Sequence, residues 1–220
     1  MIAVVILAAG ESRRMGQPKA LLPFPEDYFN SRGAGSQRPL APGKLDSSAP
    51  GEKTFLCHLI DVSRHLRAGV LRVVVGAHAK EIAASAKLDP GELVVNENWR
   101  SGQLSSLQAA INTLPNDAEG MMLCLVDHPL IPADLVQALI EAFETSKGSI
   151  VIPVFRGRRG HPVIFPRALF AELLAAPEDV GARAVVRAHA AEIIEVPTEE
   201  EGVVLNLNDP ATLSTILNQR

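Results

Sequence analysis

The chain is poor in the residues that mark several classes of protein. Only two of its 220 residues are cysteines, and Cys57 and Cys124 lie in apolar segments without the spacing of a metal site. We expect both to be buried core thiols in a reducing compartment. Positive charge is not in excess either, since 21 Lys and Arg residues are set against 25 Asp and Glu residues. Overall charge therefore favours neither nucleic acid nor a membrane surface as a partner.

Long apolar runs are also missing. No stretch is long enough to cross a bilayer, and the apolar N-terminal residues lack the basic leader and cleavage site of a signal peptide. We therefore expect a cytoplasmic protein. A hydrophobic content of 47% over 220 residues suits one compact domain that spans residues 1–220.

Short apolar runs alternate with segments of helical periodicity. They predict strands at 1–7, 71–75, 92–95, 121–126, 149–154, 162–165 and 192–196, and helices at 54–67, 79–87, 104–113, 132–146, 167–175 and 182–189, with a last helix after Pro210. This alternation predicts an α/β fold with a mostly parallel sheet covered by helices on both faces, in three layers. Residues 25–52 lack apolar periodicity, so we expect a flexible insertion beside the site or a surface loop without a role.

The most informative segment is residues 5–24, VILAAGESRRMGQPKALLPF, where an apolar run ends in a glycine loop. Small residues from Ala8 to Gly10 let a ligand approach the backbone, whose N–H groups up to Ser12 can point at anionic oxygens. Arg13, Arg14 and Lys19 supply positive charge for phosphate. The spacing is neither that of a Walker loop nor Gly-x-Gly-x-x-Gly. The pattern predicts a phosphate-binding loop, with a basic surface turn as the alternative.

Two later segments carry oxygen ligands. Asp127 ends a predicted strand, a position where open parallel sheets bind ligands, and its carboxylate suits a magnesium ion beside phosphates. The alternative is that Asp127 caps the next helix. In the predicted strand 204–208, alternation places Asn206 and Asn208 on the same side. Together these segments predict a divalent metal site.

Further candidate binding residues follow other predicted strands. Gly76 lies at the end of strand 71–75, with a tight turn as its alternative role. Gly102 allows close backbone approach, and the hydroxyls of Ser105 and Ser106 can hydrogen-bond a ligand or cap a helix. Residues 156–163, RGRRGHPV, combine arginines, glycines, a histidine and a proline in a turn between predicted strands. An ordinary basic hairpin is the alternative to a binding role for this turn.

The glycine loop closely resembles the signature of nucleotidyltransferases with a nucleotide-diphospho-sugar-transferase-like fold. It matches at Leu7, Ala8, Ala9, Gly10, Ser12, Arg14, Met15, Gly16, Lys19, Leu21 and Leu22. Residues 160–163, Gly-His-Pro-Val, resemble an element of molybdenum cofactor cytidylyltransferases. The segment 125–129 also resembles that family's metal strand, and 206–210 resembles its second polar element, with asparagines in place of the usual aspartates.

This resemblance implies a Rossmann-like enzyme that transfers CMP from CTP to molybdopterin and releases pyrophosphate. It implies Mg²⁺ or Mn²⁺ as cofactor, no protein nucleophile, and transient contact with a molybdoenzyme. Alternatives are a nucleotidyltransferase for a sugar or polyol phosphate and a nucleotide-binding accessory protein that delivers cofactor. The implied catalytic residues are Lys19, Arg14 and Asp127, with Asp127 and Asn208 as metal ligands. The implied nucleotide-binding residues are Leu7, Ala8, Ala9, Gly10, Ser12, Arg13, Arg14, Lys19, Gly76, Gly102, Ser105 and Ser106, and the implied substrate-binding residues are His128, Gly160, His161 and Pro162.

Overall fold

The computed structural model describes residues 1–24, 53–65, 69–146 and 148–217. Its strands are β1 (Ile2–Ala8), β2 (Val70–Val75), β3 (Leu93–Val95), β4 (Gly120–Leu125), β5 (Ile150–Phe155), β6 (Arg158–Arg159), β7 (Val163–Pro166) and β8 (Ile193–Pro197). Its α-helices are α1 (Phe55–His65), α2 (Ala79–Ser85), α3 (Gln103–Ile111), α4 (Ala133–Thr145), α5 (Phe170–Leu174), α6 (Arg183–Ala188) and α7 (Pro210–Leu217). The predicted insertion at 25–52 lies outside the described residues.

All eight strands of the described residues join one mixed sheet. Its order is β3-β2-β1-β4-β7-β5-β6, and β8 pairs with β5. The first four strands in this order are parallel, whereas β7 runs antiparallel to both β4 and β5. The chain leaves β1 towards β2 on one side and later returns to β4 on the other. The topological switch point therefore lies at the carboxyl ends of β1 and β4, where open α/β sheets bind their ligands.

The core has two layers because side chains of the buried strands alternate between the faces of the sheet. On β1, Val4 and Ile6 pack with α1, α2 and α4 on one face. Val5 and Leu7 pack with α3, α5 and α6 on the other. The sheet thus lies between two helical layers, which confirms the predicted three-layer α/β/α class.

The structure corrects three predictions of local structure. Residues 204–208 do not form a strand, because a 3₁₀ turn (Glu201–Val204) leads into an extended segment that pairs with no strand of the described sheet. The predicted helix 167–175 is divided into a 3₁₀ turn (Arg167–Leu169) and α5. Cys124 is buried, and burial raises its pKa to about 12, but Cys57 is only half-buried on α1.

Two connections have clear local causes. Arg156 and Gly157 both have positive φ, at 49° and 76°, as a two-residue type I′ hairpin between β5 and β6 requires. This turn uses the first part of RGRRGHPV, as the hairpin alternative predicts. Thr54 begins α1 by accepting a hydrogen bond from the backbone N–H of Cys57 at 3.2 Å. None of the helices in the described ranges has the length and apolar character needed to cross a membrane.

Candidate active site

The glycine loop and Asp127 meet because β1 and β4 are neighbours in register. Leu7 pairs with Leu125, and the backbone N–H of Val126 donates to the carbonyl oxygen of Leu7 at 3.2 Å. Both strands then end at the same edge of the sheet. The first strand continues into Ala9 and Gly10, and the second continues into Asp127 and His128. The tertiary structure thus brings together two motifs that lie more than 100 residues apart.

A hydrogen bond to the side chain of Ser12 closes the glycine loop. Ser12 adopts the left-handed region at φ 54°, and its Oγ accepts a hydrogen bond from the backbone N–H of Lys19 at 3.0 Å. Gly16, at φ 69°, reverses the chain between them. A side chain at Gly10 would meet no atom within 4 Å, so the backbone there faces open space. The loop therefore presents a bare backbone and turns Lys19 inward.

Lys19 joins the two predicted metal ligands. Its Nζ lies 3.2 Å from Oδ2 of Asp127 and donates a hydrogen bond to Oδ1 of Asn208. The Lys19 and Asp127 side chains are only 17% and 21% exposed. A carboxylate and an amide oxygen thus converge on one cation, as the ligands of a hard divalent metal do.

The segment 206–209 reaches the site by a backbone contact to the end of β4. The N–H of Leu207 donates to the carbonyl oxygen of Asp127 at 2.8 Å, and the Leu207 side chain is fully buried. Asn206 lines the cleft, whereas Asn208 contacts Lys19. Asp209 instead caps α7 by accepting two hydrogen bonds from Thr212, both at 2.8 Å. Asn208 is therefore the best placed of the three polar residues to assist Asp127.

Hydrogen bonds from Thr212 lower the pKa of Asp209, and the positive charge of Arg14 adds to this effect. The Arg14 side chain is exposed and does not line the cleft. Arg13 is also exposed, and its Nε donates to Glu11 at 2.7 Å. Of the three cations of the loop, Lys19 is the one that contacts Asp127.

A cleft of about 1170 Å³ opens in front of the switch point. It extends from the glycine loop and the start of α3 to the segment 178–187. The predicted site residues that line it are Leu7, Ala8, Ala9, Gly10, Ser12, Arg13, Lys19, Gly102, Ser106, Asp127, His128, Gly160 and His161. Those outside its lining are Arg14, Gly76, Ser105, Pro162 and Asn208. A cleft of this volume has room for more than one small ligand.

A buried amide organises the loop in front of α3, and sequence patterns missed its role. The Nδ2 of Asn96 donates to the hydroxyls of Ser105 and Ser106, both at 2.9 Å, while its Oδ1 accepts the backbone N–H of Asn98. The Ser105 hydroxyl in turn shares its one proton between the carbonyl oxygens of Asn98 and Gly102, at 3.0 and 2.8 Å. These hydroxyls therefore hold the loop in place, and neither caps α3. The signal available was a polar residue directly after a predicted strand.

A side chain at Gly76 or at Gly160 would collide with neighbouring residues. A Cβ on Gly76 would lie 2.6 Å from Cβ of Trp99 and 2.8 Å from the carbonyl oxygen of Ala9. On Gly160 it would collide with the carbonyl oxygen of Val203, whose partner is the N–H of His161 at 2.9 Å. Because Gly76 has no side chain, Trp99 can pack closely against it. Because Gly160 has none, the backbone of Val203 can lie directly against the Gly-His-Pro-Val element.

His128 and His161 form a pair of imidazoles at the cleft, with ring centroids 5.0 Å apart. Burial and, to a smaller extent, the neighbouring His128 together lower the pKa of His161 to about 4. Burial also lowers the pKa of His128, although Asp127 opposes the shift. Neither Nδ1 has a hydrogen-bond partner among the described residues. Both rings are therefore uncharged at neutral pH and add no positive charge to the cleft.

The mixed sheet, the glycine loop after β1 and the aspartate after β4 define the chain as a nucleotidyltransferase with a nucleotide-diphospho-sugar-transferase-like fold. A family model confirms this at the level of sequence. The MobA-like NTP transferase domain matches residues 4–193, and the chain belongs to that family.

Several known proteins are similar to this chain. The nicotine blue oxidoreductase of Paenarthrobacter nicotinovorans is 29% identical over 191 residues, which cover 83% of this chain and 80% of that protein. Rv0371c from Mycobacterium tuberculosis H37Rv has a TM-score of 0.77 at 24% identity, covering 98% of this chain and 96% of its own. A second structure of Rv0371c, with a TM-score of 0.72 at 24% identity over 98% and 97% of the two chains, is a complex with manganese.

A more distant structure shares the fold. Molybdopterin-guanine dinucleotide biosynthesis protein A from Archaeoglobus fulgidus has a TM-score of 0.61 at 14% identity. The similarity covers 97% of this chain and 96% of that protein. Similarity at such identities establishes the fold, while the roles of individual residues in this chain stay predictions.

Proposed function

We propose that this nucleotidyltransferase transfers CMP from CTP to the phosphate of molybdopterin or the molybdenum cofactor and releases pyrophosphate. The observation that carries the proposal is the convergence of Lys19, Asp127 and Asn208 beside the glycine loop. A phosphate acceptor is already ionised at neutral pH, so the reaction needs positioning and charge stabilisation rather than a protein nucleophile.

In this proposal, phosphoryl transfer takes place at the carboxyl ends of β1 and β4. The bare backbone from Ala8 to Ser12 binds the triphosphate oxygens, and Lys19 neutralises charge that develops as pyrophosphate leaves. Arg13 lies at the cleft, and Arg14 requires a change of side-chain conformation to join it. These residues hold the α-phosphorus in line with the acceptor phosphate.

Asp127 and Asn208 fit a divalent cation, Mg²⁺ or Mn²⁺. Their oxygens already converge on the positive charge of Lys19. No group of three or more His, Cys, Asp or Glu side chains in the described part of the chain forms a metal cage. This agrees with an ion that takes one or two protein oxygens and completes its shell with phosphates and water. When bound, the cation offsets the negative charge of the triphosphate.

The two ends of the cleft are assigned to the two substrates. Ala9, Gly102 and Ser106 lie at the nucleotide end, where the methyl group of Ala9 leaves less room for a purine than glycine would. At the acceptor end, His128 and His161 are uncharged contacts beside Gly160, and Pro162 follows His161 directly behind the cleft lining. The cleft lining at this end also includes Arg159, Arg183 and Arg187. Their positive charges suit an anionic acceptor.

A sugar or polyol phosphate acceptor and a cofactor-delivery role are the alternatives. The oxidoreductase name of one relative suggests a redox reaction as a further alternative, but the glycine loop lacks the Gly-x-Gly-x-x-Gly pattern of dinucleotide-binding loops. We further propose that residues 1–220 work as one cytoplasmic domain that contacts a molybdoenzyme transiently. The free thiols of Cys57 and Cys124 suit a reducing compartment.

The test is pyrophosphate release by the purified protein with each of the four NTPs and Mg²⁺ or Mn²⁺, in the presence of molybdopterin or of a panel of sugar phosphates. We expect release with CTP and molybdopterin. Turnover with a sugar phosphate alone would favour the first alternative, and nucleotide binding without pyrophosphate release would favour the delivery role. Oxidation of NADH or NADPH without NTP turnover would contradict the proposal.

A further inference from the structure

The ammonium group of Lys19 lies where the proposed metal ligands converge. It is 3.2 Å from Oδ2 of Asp127 and hydrogen-bonded to Oδ1 of Asn208. Both Lys19 and Asp127 are largely shielded from solvent. A divalent ion on the same two oxygens would lie within a few ångströms of the ammonium, where two positive charges repel strongly. The two cations therefore compete for one position.

We propose that Lys19 occupies the position of the divalent cation in the nucleotide-free enzyme, so that the metal site opens only when phosphate draws the lysine away. This inference rests on the proposed function, because it takes Asp127 and Asn208 as the metal ligands. It goes further by giving Lys19 a role before any chemistry. The nucleotide binds before the metal or together with it.

The local structure permits this exchange without rearrangement of the loop. The backbone N–H of Lys19 is held by Ser12 Oγ, and the residue lies in the 3₁₀ turn Lys19–Leu21 behind Pro18. Only the four-carbon stem of the side chain has to rotate for Nζ to exchange a carboxylate for phosphate oxygens. The bare backbone at Gly10 is on the same loop. Phosphate bound there offers Nζ an acceptor of higher negative charge.

The experiment measures Mn²⁺ binding to the nucleotide-free protein by electron paramagnetic resonance and by calorimetry. Lys19→Met keeps the length of the stem and removes the charge, so we expect its Kd for Mn²⁺ to fall at least about tenfold below that of the wild type. Lys19→Arg keeps the charge and should bind Mn²⁺ as weakly as the wild type. Lys80→Met removes one positive charge from the exposed surface of α2, outside the cleft lining. Its Kd should stay within about twofold of the wild type because solvent and salt screen exposed charges.

The outcomes separate this inference from the proposal on which it rests. Equal Mn²⁺ affinity in the wild type and Lys19→Met, lost in Asp127→Asn, would overturn the role of Lys19 and leave the metal site intact. Mn²⁺ binding that is unaffected by Asp127→Asn would refute the metal site itself. Lys19→Gln provides the same comparison if Lys19→Met does not fold, which thermal melting of each variant will show.

Discussion

Replacing Asp127 with asparagine tests the centre of the site with the smallest change in shape. The side chain keeps its size and an amide oxygen, so Lys19 can still donate a hydrogen bond to it. At 3.2 Å and an effective dielectric constant of about 20, the lost charge pair is worth about 5 kcal/mol in Coulomb energy. Partial exposure, solvation of the freed ammonium and the retained hydrogen bond offset most of this. We therefore expect the free energy of unfolding to change by no more than about 1 kcal/mol.

The effect on turnover should be much larger. Loss of one preorganised electrostatic contact at developing charge raises the activation free energy by about 2–4 kcal/mol. This corresponds to a decrease in kcat of about 30- to 900-fold. The stability and the rate therefore respond differently to the same substitution, which separates a catalytic role from a structural one.

The assay is steady-state pyrophosphate release at saturating nucleotide and metal, together with urea unfolding of the same preparations. Asp117→Asn is the control, because this exposed aspartate precedes β4 at the opposite edge of the sheet. It removes the same charge and should leave kcat unchanged. Near-wild-type turnover in well-folded Asp127→Asn protein would refute the metal assignment.

Two further predictions concern the nucleotide end and the core. Ala9→Gly should narrow the preference for CTP over GTP, by about 1–3 kcal/mol at most, in kcat/KM measured with one acceptor; an unchanged ratio would show that this loop does not distinguish the bases. Burial lowers the pKa of His58 to about 4, so the unfolded chain binds more protons than the folded one below pH 6.5. The free energy of unfolding should therefore fall as the pH drops from 6.5 towards 4. His58 should account for a loss of about 2 kcal/mol by pH 5. His58→Phe, which keeps a ring stacked on Phe24, should remove this contribution, and an equally steep pH profile in urea unfolding would contradict it.

The layers of the fold could be predicted from the sequence because each buried strand is a short apolar run. The β-branched and aliphatic run of β1, for example, has the composition of a strand covered on both faces. The antiparallel direction of β7 had no such signal, since a four-residue strand has the same composition in either direction. Strand direction depends on where the chain returns to the sheet.

The candidate site was predicted in part. The bare backbone of the glycine loop and the carboxylate at the end of β4 follow from residue types and from the ends of apolar runs. The role of Asn96 was missed, because a buried amide is recognised by its partners, and these lie nine and ten residues further along the chain. For Gly76 and Gly160, the sequence indicates missing side chains, but the structure shows that Trp99 and Val203 occupy the space.

By itself, the sequence determined the local chemistry of this protein: a glycine loop of small and basic residues, a carboxylate at a strand end, and the apolar periods that form the layers. These depend on residue type and on neighbours a few positions away. Only the tertiary structure decided that Lys19 contacts Asp127 and Asn208, and that Asp209 caps a helix instead. Such contacts depend on the order and register of strands, because the two motifs come within 3.2 Å only when β1 and β4 lie side by side.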